Sequence, residues 1–248
     1  MTPPVSVRLD QALVERGLAP SRARARALIE AGAVRLGGAV ARRPSQKAPP
    51  DAPLDVIADP CPWVSRAGLK LDHALEAFGL TPEGLALDLG ASTGGFTQVL
   101  LARGAEAVIA VEVGHGQMAP ALQADARVDL REGVNARALP EGLPRPDWVT
   151  ADLSFIGLET ALPPALALAR PGATLVALVK PQFEVGRARL GKGGVVRDPA
   201  ARAEAAARIA RFLETSGWRV LGETESPIEG GDGNREALIA ARKAEDAA

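Results

Sequence analysis

The chain has no tyrosine, one cysteine, two histidines and only 3% aromatic residues. Each shortage removes a class of explanation. A lone thiol, Cys61, can form neither an intrachain disulfide nor a thiolate zinc site, so a reducing cytoplasm is the expected setting and Cys61 reads as a small linker residue. His73 and His115 are too isolated to argue for a metal site or a histidine base, and no metal is expected. The basic segment over residues 7–57 has no aromatic interleaving, so base stacking by that segment is not expected. Long apolar runs are also missing. The most apolar stretch, Ala161 to Val179, is interrupted by Pro163, Pro164, Arg170 and Pro171, short of the roughly 18 residues that a spanning helix needs. Met1-Thr2-Pro3-Pro4-Val5 has no apolar signal core. No membrane association is expected.

What remains is a chain of 248 residues, 47% hydrophobic, long enough for one large domain and a small one. Its net charge of -1 conceals a split: residues 1–58 hold nine Lys/Arg against five Asp/Glu, and residues 59–248 hold 20 against 25. A basic module that binds a polyanion, joined to a neutral or acidic catalytic one, fits that split.

The basic module reads as two helices and a small sheet. Gly17 closes a helix over Arg8 to Arg16, and Ser21 caps a second over Arg22 to Ala31, which Gly32 ends. Strands are expected at 33–36, 39–40 and 54–57, with a Pro-rich loop from Arg43 to Pro53. Arg22, Arg26, Arg35 and Lys47 are expected on one phosphate-facing surface, a solvated helix face being the alternative; Arg8 and Arg66 complete the candidate RNA contacts. The order Arg8-Leu9-Asp10, Ser21-Arg22, Ile29, Ala31-Gly32-x-Val34 and Gly37 resembles the S-four-type RNA-binding domain over about residues 7–57. That resemblance implies recognition by shape and phosphate.

Asp59-Pro60-Cys61-Pro62 marks a boundary, giving a linker at 59–64 and a second domain at 65–248. There, a helix is expected from Trp63 to Phe78, followed by strands at 85–88, 108–113, 128–130, 148–151 and 175–179 alternating with helices: the rhythm of an α/β doubly wound sheet. Two late segments, 219–225 and 236–241, are expected to pair antiparallel at its edge. Ligands in such sheets sit at the carboxyl ends of strands, where Asp88, Glu112, Asp152 and Lys180 fall. The loop Gly90-Ala91-Ser92-Thr93-Gly94-Gly95 is read as letting backbone pass close to a ligand, with Glu112 placed for ribose hydroxyls. Ser92 occupies the position of a pyrophosphate-admitting glycine, which favours a ligand without phosphates; NAD and S-adenosylmethionine are not otherwise separated.

Five further motifs narrow the choice: Ser65-Arg66-Ala67-Gly68-Leu69-Lys70-Leu71, Ala151-Asp152-Leu153-Ser154-Phe155-Ile156, Leu178-Val179-Lys180-Pro181-Gln182-Phe183-Glu184-Val185-Gly186, Gly191 to Pro199, and Gly233-Asn234-Arg235-Glu236. Together they resemble the TlyA family, ribosomal RNA ribose 2′-O-methyltransferases related to FtsJ/RrmJ-like enzymes and often called haemolysin A. The resemblance implies a Rossmann-like class I methyltransferase sheet behind a small α+β RNA-binding domain, S-adenosylmethionine as cofactor, and ribosomal RNA or ribosomal subunits as partner, with cytidine as the target. It places a catalytic tetrad at Lys70, Asp152, Lys180 and Glu236. It places the donor pocket at Asp88, Gly90, Ala91, Ser92, Gly94, Gly95, Phe96, Thr97, Glu112, Val113, Asn135 and Asp152. Ala67 stands where the family often has glycine, and Glu112 where it often has aspartate.

A ribose hydroxyl is a weak nucleophile, and a lysine withdrawn from water can take its proton or stabilise the alkoxide. That role falls to Lys180, with Lys70 orienting the hydroxyl and Asp152 and Glu236 holding the two ammonium groups. Taken singly, Lys70 could be a solvated helix residue, Asp152 a helix cap and Glu236 an edge-strand charge. The loop from Gly186 to Asp198 could close over RNA or stay solvated, and the turn at 230–233 shapes the approach to Glu236. Competing functions are an inactive RNA-binding assembly factor, a pore-forming haemolysin and an NAD-dependent dehydrogenase. A monomer is expected.

Overall fold

The computed structural model describes residues 6–19, 21–57, 61–186 and 189–245. It divides into two units, Met1–Pro62 and Trp63–Ala248. Asp59 and Pro60 of the expected linker, and Arg187 and Ala188 of the Gly186 loop, lie outside the described residues.

In the first unit β1 (Val7–Arg8) leads into α1 (Leu9–Glu15), followed by α2 (Arg22–Glu30), β2 (Val34–Leu36), β3 (Ala39–Ala41), β4 (Lys47–Ala48) and β5 (Leu54–Val56). The Ser21 side chain accepts a hydrogen bond from the Arg24 amide at 3.2 Å, the expected N-cap. Leu9 and Leu13 of α1 and Ala25, Leu28 and Ile29 of α2 pack on Val34, Ala41 and Leu54 to form one core. β2 is the centre of the antiparallel sheet β3-β2-β5. β1 pairs with β4, Arg8 opposite Lys47: β4 lies inside the segment read as loop, and Arg8, expected to open the first helix, ends β1 instead. Two residues are too few for an alternating pattern to reveal a strand.

The second unit contains α3 (Ala67–Phe78), β6 (Leu85–Leu89), α4 (Gly95–Arg103), β7 (Ala107–Glu112), α5 (Pro120–Gln123), β8 (Val128–Glu132), β9 (Trp148–Ala151), α6 (Leu158–Ala161), α7 (Pro163–Leu168), β10 (Thr174–Val179), α8 (Pro181–Glu184), α9 (Pro199–Thr215), β11 (Trp218–Glu225) and β12 (Ala237–Lys243). Its seven-stranded sheet runs β11-β12-β10-β9-β6-β7-β8; β6 to β10 are parallel, while β12 is antiparallel to both β10 and β11. Alternate strand residues feed two cores. Leu87, Leu89, Ile109, Val149, Leu175 and Ile239 meet α6, α7 and α9. Ala86, Val108, Ala110, Val176 and Leu238 meet α3, α4 and α5. Both faces are therefore covered, as a parallel sheet requires.

Two expectations change in detail. The apolar helix between β9 and β10 is two short ones, because Pro163 and Pro164 supply no amide hydrogens and α7 must start at them. The first helix begins at Ala67 rather than Trp63, and Trp63 instead packs over Gly68: a Cβ there would lie 2.5 Å from Trp63 Cβ and Cγ. Glycine inside a helix ordinarily costs about 0.5–1 kcal/mol relative to alanine. Here Gly68→Ala should instead lower the unfolding free energy by about 1–3 kcal/mol through overpacking. Chemical denaturation reads the sign, and a stabilised variant would contradict this packing.

Candidate active site

From β6 the chain winds outward to β7 and β8, then crosses back to β9 on the other side of β6. Such a reversal opens a crevice at the carboxyl ends of the two central strands. The residues that follow them lie side by side. The Asp152 amide donates to the Leu89 carbonyl at 3.0 Å. Gly90, at φ +81°, approaches so closely that a Cβ would lie 2.5 Å from the Asp152 carbonyl oxygen. A cleft of about 650 Å³ opens here, with Gly90, Ser92, Glu112, Val113, Asn135 and Asp152 from the expected donor pocket in its wall.

The other pocket residues play a different part. Asp88, Ala91, Phe96 and Thr97 are buried beneath the loop. A Cβ on Gly94 would collide with Leu122, and one on Gly95 with the Ser65 hydroxyl. The glycines were read as making room for a ligand; at 90, 94 and 95 the neighbours they accommodate are the protein's own. Glu112 is buried at the end of β7, and its carboxylate accepts from the amides of Ser92 at 2.9 Å and Gly114 at 2.7 Å. Oε1 also accepts from Gln117 Nε2 at 3.5 Å, which leaves the further lone pair on Oε2.

Asp88 fastens the floor. Its oxygens accept from the Thr97 hydroxyl at 2.7 Å and the Thr150 hydroxyl at 2.9 Å, joining β6, α4 and β9. Burial pushes its carboxyl up to about 6; the two threonine bonds oppose that rise and the Asp152 charge adds to it.

The tetrad assembles from strand register. Val179 of β10 faces Ala237 of β12, so Lys180 and Glu236 emerge together at the edge where Asp152 leaves β9. Lys180 Nζ forms an ion pair with Asp152 at 2.7 Å and donates to Ser154 Oγ at 3.0 Å. Lys70 Nζ, from α3, donates to Glu236 Oε2 at 2.5 Å. Side-chain exposures are 10% for Lys70, 2% for Glu236, 11% for Lys180 and 16% for Asp152. Lys70 is therefore not on a wet helix face, and Glu236 adjoins β12, which β11 covers. Two cations and two anions, drawn from water together, leave no unmatched charge.

Residues missed by the sequence reading hold this arrangement. Ser154 binds Lys180. Asn234, fully buried, accepts from the Val196 amide at 2.9 Å and donates to the Gly194 carbonyl at 3.2 Å, so the end of the Gly186 loop is tied to the turn before Glu236. Phe155, 91% exposed and at φ +67°, stands on the cleft wall with its ring 5.4 Å from that of Phe183. Their signal was membership in the same motifs as the tetrad.

In the first unit, buried Asp10 gathers the basic residues. Arg8 donates to it twice at 2.9 Å and Arg22 once at 3.1 Å, and the Arg8 hydrogen bonds foremost hold its carboxyl down to about 2. Lys47 is the cross-strand partner of Arg8, and Arg26 is one turn along α2 from Arg22. Arg35 does not join them. Val34 faces the helices, so Arg35 and its exposed cross-strand neighbours Val40 and Asp55 lie on the opposite face of the sheet. Arg66, exposed, precedes α3 in the second unit.

Asp88 gives a pH test. Its raised carboxyl favours folding below its ordinary value of 3.8, and that contribution is lost as pH rises through about 6. Wild-type stability should therefore fall relative to Asp88→Asn between those values, read as the difference in thermal midpoint. A constant difference would remove Asp88 as the titrating group.

Residues 63–243 match the FtsJ-like methyltransferase family and residues 7–52 the S4 domain. The 16S/23S rRNA (cytidine-2'-O)-methyltransferase TlyA of Mycobacterium tuberculosis is 48% identical over 245 residues, 97% of this chain and 91% of that one. Hemolysin A of Brachyspira hyodysenteriae is 35% identical over 94% of this chain and 98% of its own length. A solved hemolysin-type structure from Streptococcus thermophilus superposes with a TM-score of 0.77 at 36% identity, covering 98% of this chain and 92% of that one. Among the described residues no helix is long and apolar enough to cross a membrane. The chain belongs to the FtsJ-like methyltransferase family and carries an S4 domain ahead of its catalytic sheet.

Proposed function

We propose that this protein methylates a ribose 2′-hydroxyl of ribosomal RNA, a cytidine by analogy with its TlyA relative, with S-adenosylmethionine as the donor. The observation that carries the reading is the Lys180–Asp152 pair, whose Asp152 lines the cleft, with the Lys70–Glu236 pair brought to the same carboxyl edge by the pairing of Val179 with Ala237. The residues of the cleft suit the donor: Glu112 Oε2 keeps a lone pair for a ribose hydroxyl, Val113 offers an exposed apolar wall, and Ser92 and Asn135 add polar groups. When bound, S-adenosylmethionine supplies a methyl group on a positively charged sulfur.

The protein's own residues do the rest. Once the Lys180 ammonium has released a proton to solvent, its neutral Nζ takes the proton of the attacking hydroxyl as the methyl group passes from sulfur to oxygen, and the Asp152 carboxylate 2.7 Å away stabilises the ammonium so restored. Lys70, held by Glu236, orients the hydroxyl and offsets negative charge developing on its oxygen. Both pairs are preformed, so the alignment needs little rearrangement as the reaction proceeds. Phe155 presents an open ring face to a base at the rim. The Asp10-centred group in the S4 unit grips RNA phosphates. The protein works in the cytoplasm on ribosomal RNA or a ribosomal subunit, as a monomer.

Lys180→Ala should reduce methyl transfer by about 10²–10⁴-fold, the usual share of a positioned proton acceptor, while calorimetry finds donor affinity unchanged. Retained turnover removes Lys180 from the mechanism. For RNA binding, Arg26→Ala and Lys47→Ala should each flatten the slope of log affinity against log salt by about 0.7–0.9, and Arg35→Ala should not. An Arg35 effect equal to the others would contradict its placement on the opposite sheet face.

A further inference from the structure

We infer that Glu184 is a positioning residue for methyl transfer: its carboxylate binds the turn that follows Lys180 to the far end of the loop that carries Asp152, Ser154 and Phe155. The inference rests on the proposed function and adds to it a residue outside the tetrad.

Both segments need outside support. From Asp152 to Gly157 the chain is neither helix nor strand, and Phe155 occupies a left-handed conformation that side chains disfavour. The Pro181–Glu184 helix after Lys180 is a single turn without a side-chain cap, too short to hold its shape alone. At their near ends the two segments meet through Lys180, which touches Asp152 and Ser154. At their middles they meet through the Phe155 and Phe183 rings. At their far ends they meet through Glu184. Its Oε1 accepts from the Leu158 amide at 2.8 Å, and its Oε2 accepts from Arg208 Nη2 on α9 at 2.8 Å. Arg208 also pairs with Glu159 at 3.3 Å.

The junction is tight and dry. The Glu184 side chain is 2% exposed, and a Cβ on Gly157 would lie 3.3 Å from Glu184 Oε2 and 3.4 Å from the Phe183 carbonyl oxygen. A contact needed only to bury surface between α8 and α9 would be met by an apolar side chain. A hydrogen-bond acceptor is required because the Leu158 amide hydrogen and the Arg208 guanidinium both point at this side chain. Without it the Leu158 amide is stranded, the loop loses its far anchor, and the Asp152 and Ser154 contacts to Lys180 are free to drift.

The test compares Glu184→Ala, Glu184→Gln and Arg208→Ala in the full chain, below their melting temperatures. Misplacing a reacting group by about 1 Å can cost 10²-fold, so Glu184→Ala should lower kcat by about that factor, with KM for RNA and donor affinity unchanged. Glu184→Gln, whose amide oxygen still accepts from Leu158, should restore most of kcat. Arg208→Ala should change it little. Hydrogen exchange at residues 153–158 should quicken in Glu184→Ala whether or not the RNA supplied is a substrate. Absent wild-type turnover would therefore fault the functional reading, while the exchange still decides the tie. A lower melting temperature with unchanged kcat and unchanged exchange would overturn the inference. If Glu184→Ala does not fold, Gly157→Ala presses on the carboxylate at Oε2 and on the Phe183 carbonyl, displacing the junction, and should lower kcat; an unaffected kcat in that variant would also overturn it.

Discussion

Lys70 and Glu236 are 166 positions apart in the chain and 2.5 Å apart in space. Much of the catalytic unit is arranged so that they can meet. Lys70 arrives on a helix packed against the sheet through Leu71, Ala74 and Leu75. Glu236 arrives because β12 runs against β10, which puts the start of one strand beside the end of the other. Removing one partner of a buried pair typically costs about 3–5 kcal/mol, since the remaining charge is left in a poor solvent. The second pair, Lys180 with Asp152, is set by the parallel register of β10 on β9. The proposed chemistry thus rests on the antiparallel return of the last strand as much as on any one side chain.

The glycine-rich loop shows how a motif can point to the correct place for an incomplete reason. Its glycines let the loop lie against Asp152, Leu122 and Ser65, and its floor is fixed by Asp88 through two threonines. What faces the cleft is a smaller set, led by Ser92 and the Glu112 carboxylate. Close packing beneath and polar groups above make a rigid bed, the condition for orienting a ligand without paying for order at each encounter.

The alternation of apolar strands and helices was legible because buried parallel strands are continuous apolar runs, as in Thr174–Val179. The tetrad was legible through motifs rather than through any property of one residue. What stayed hidden depended on long-range partners. Glu184 looks like any acid on a short helix until Leu158 and Arg208 converge on it. Asp10 looks like a solvated helix charge until Arg8 and Arg22 close over it. Arg35 was grouped with Arg22 and Arg26 by charge, whereas strand alternation turns it to the other face.

The most direct test is transfer of a tritiated methyl group from S-adenosylmethionine to unmodified ribosomal subunits, with nuclease mapping of the product. The account predicts label that resists base demethylation and resides on a single ribose, a cytidine by analogy with the TlyA relative. Label on a base, or a bound donor with no transfer to either subunit, would contradict it.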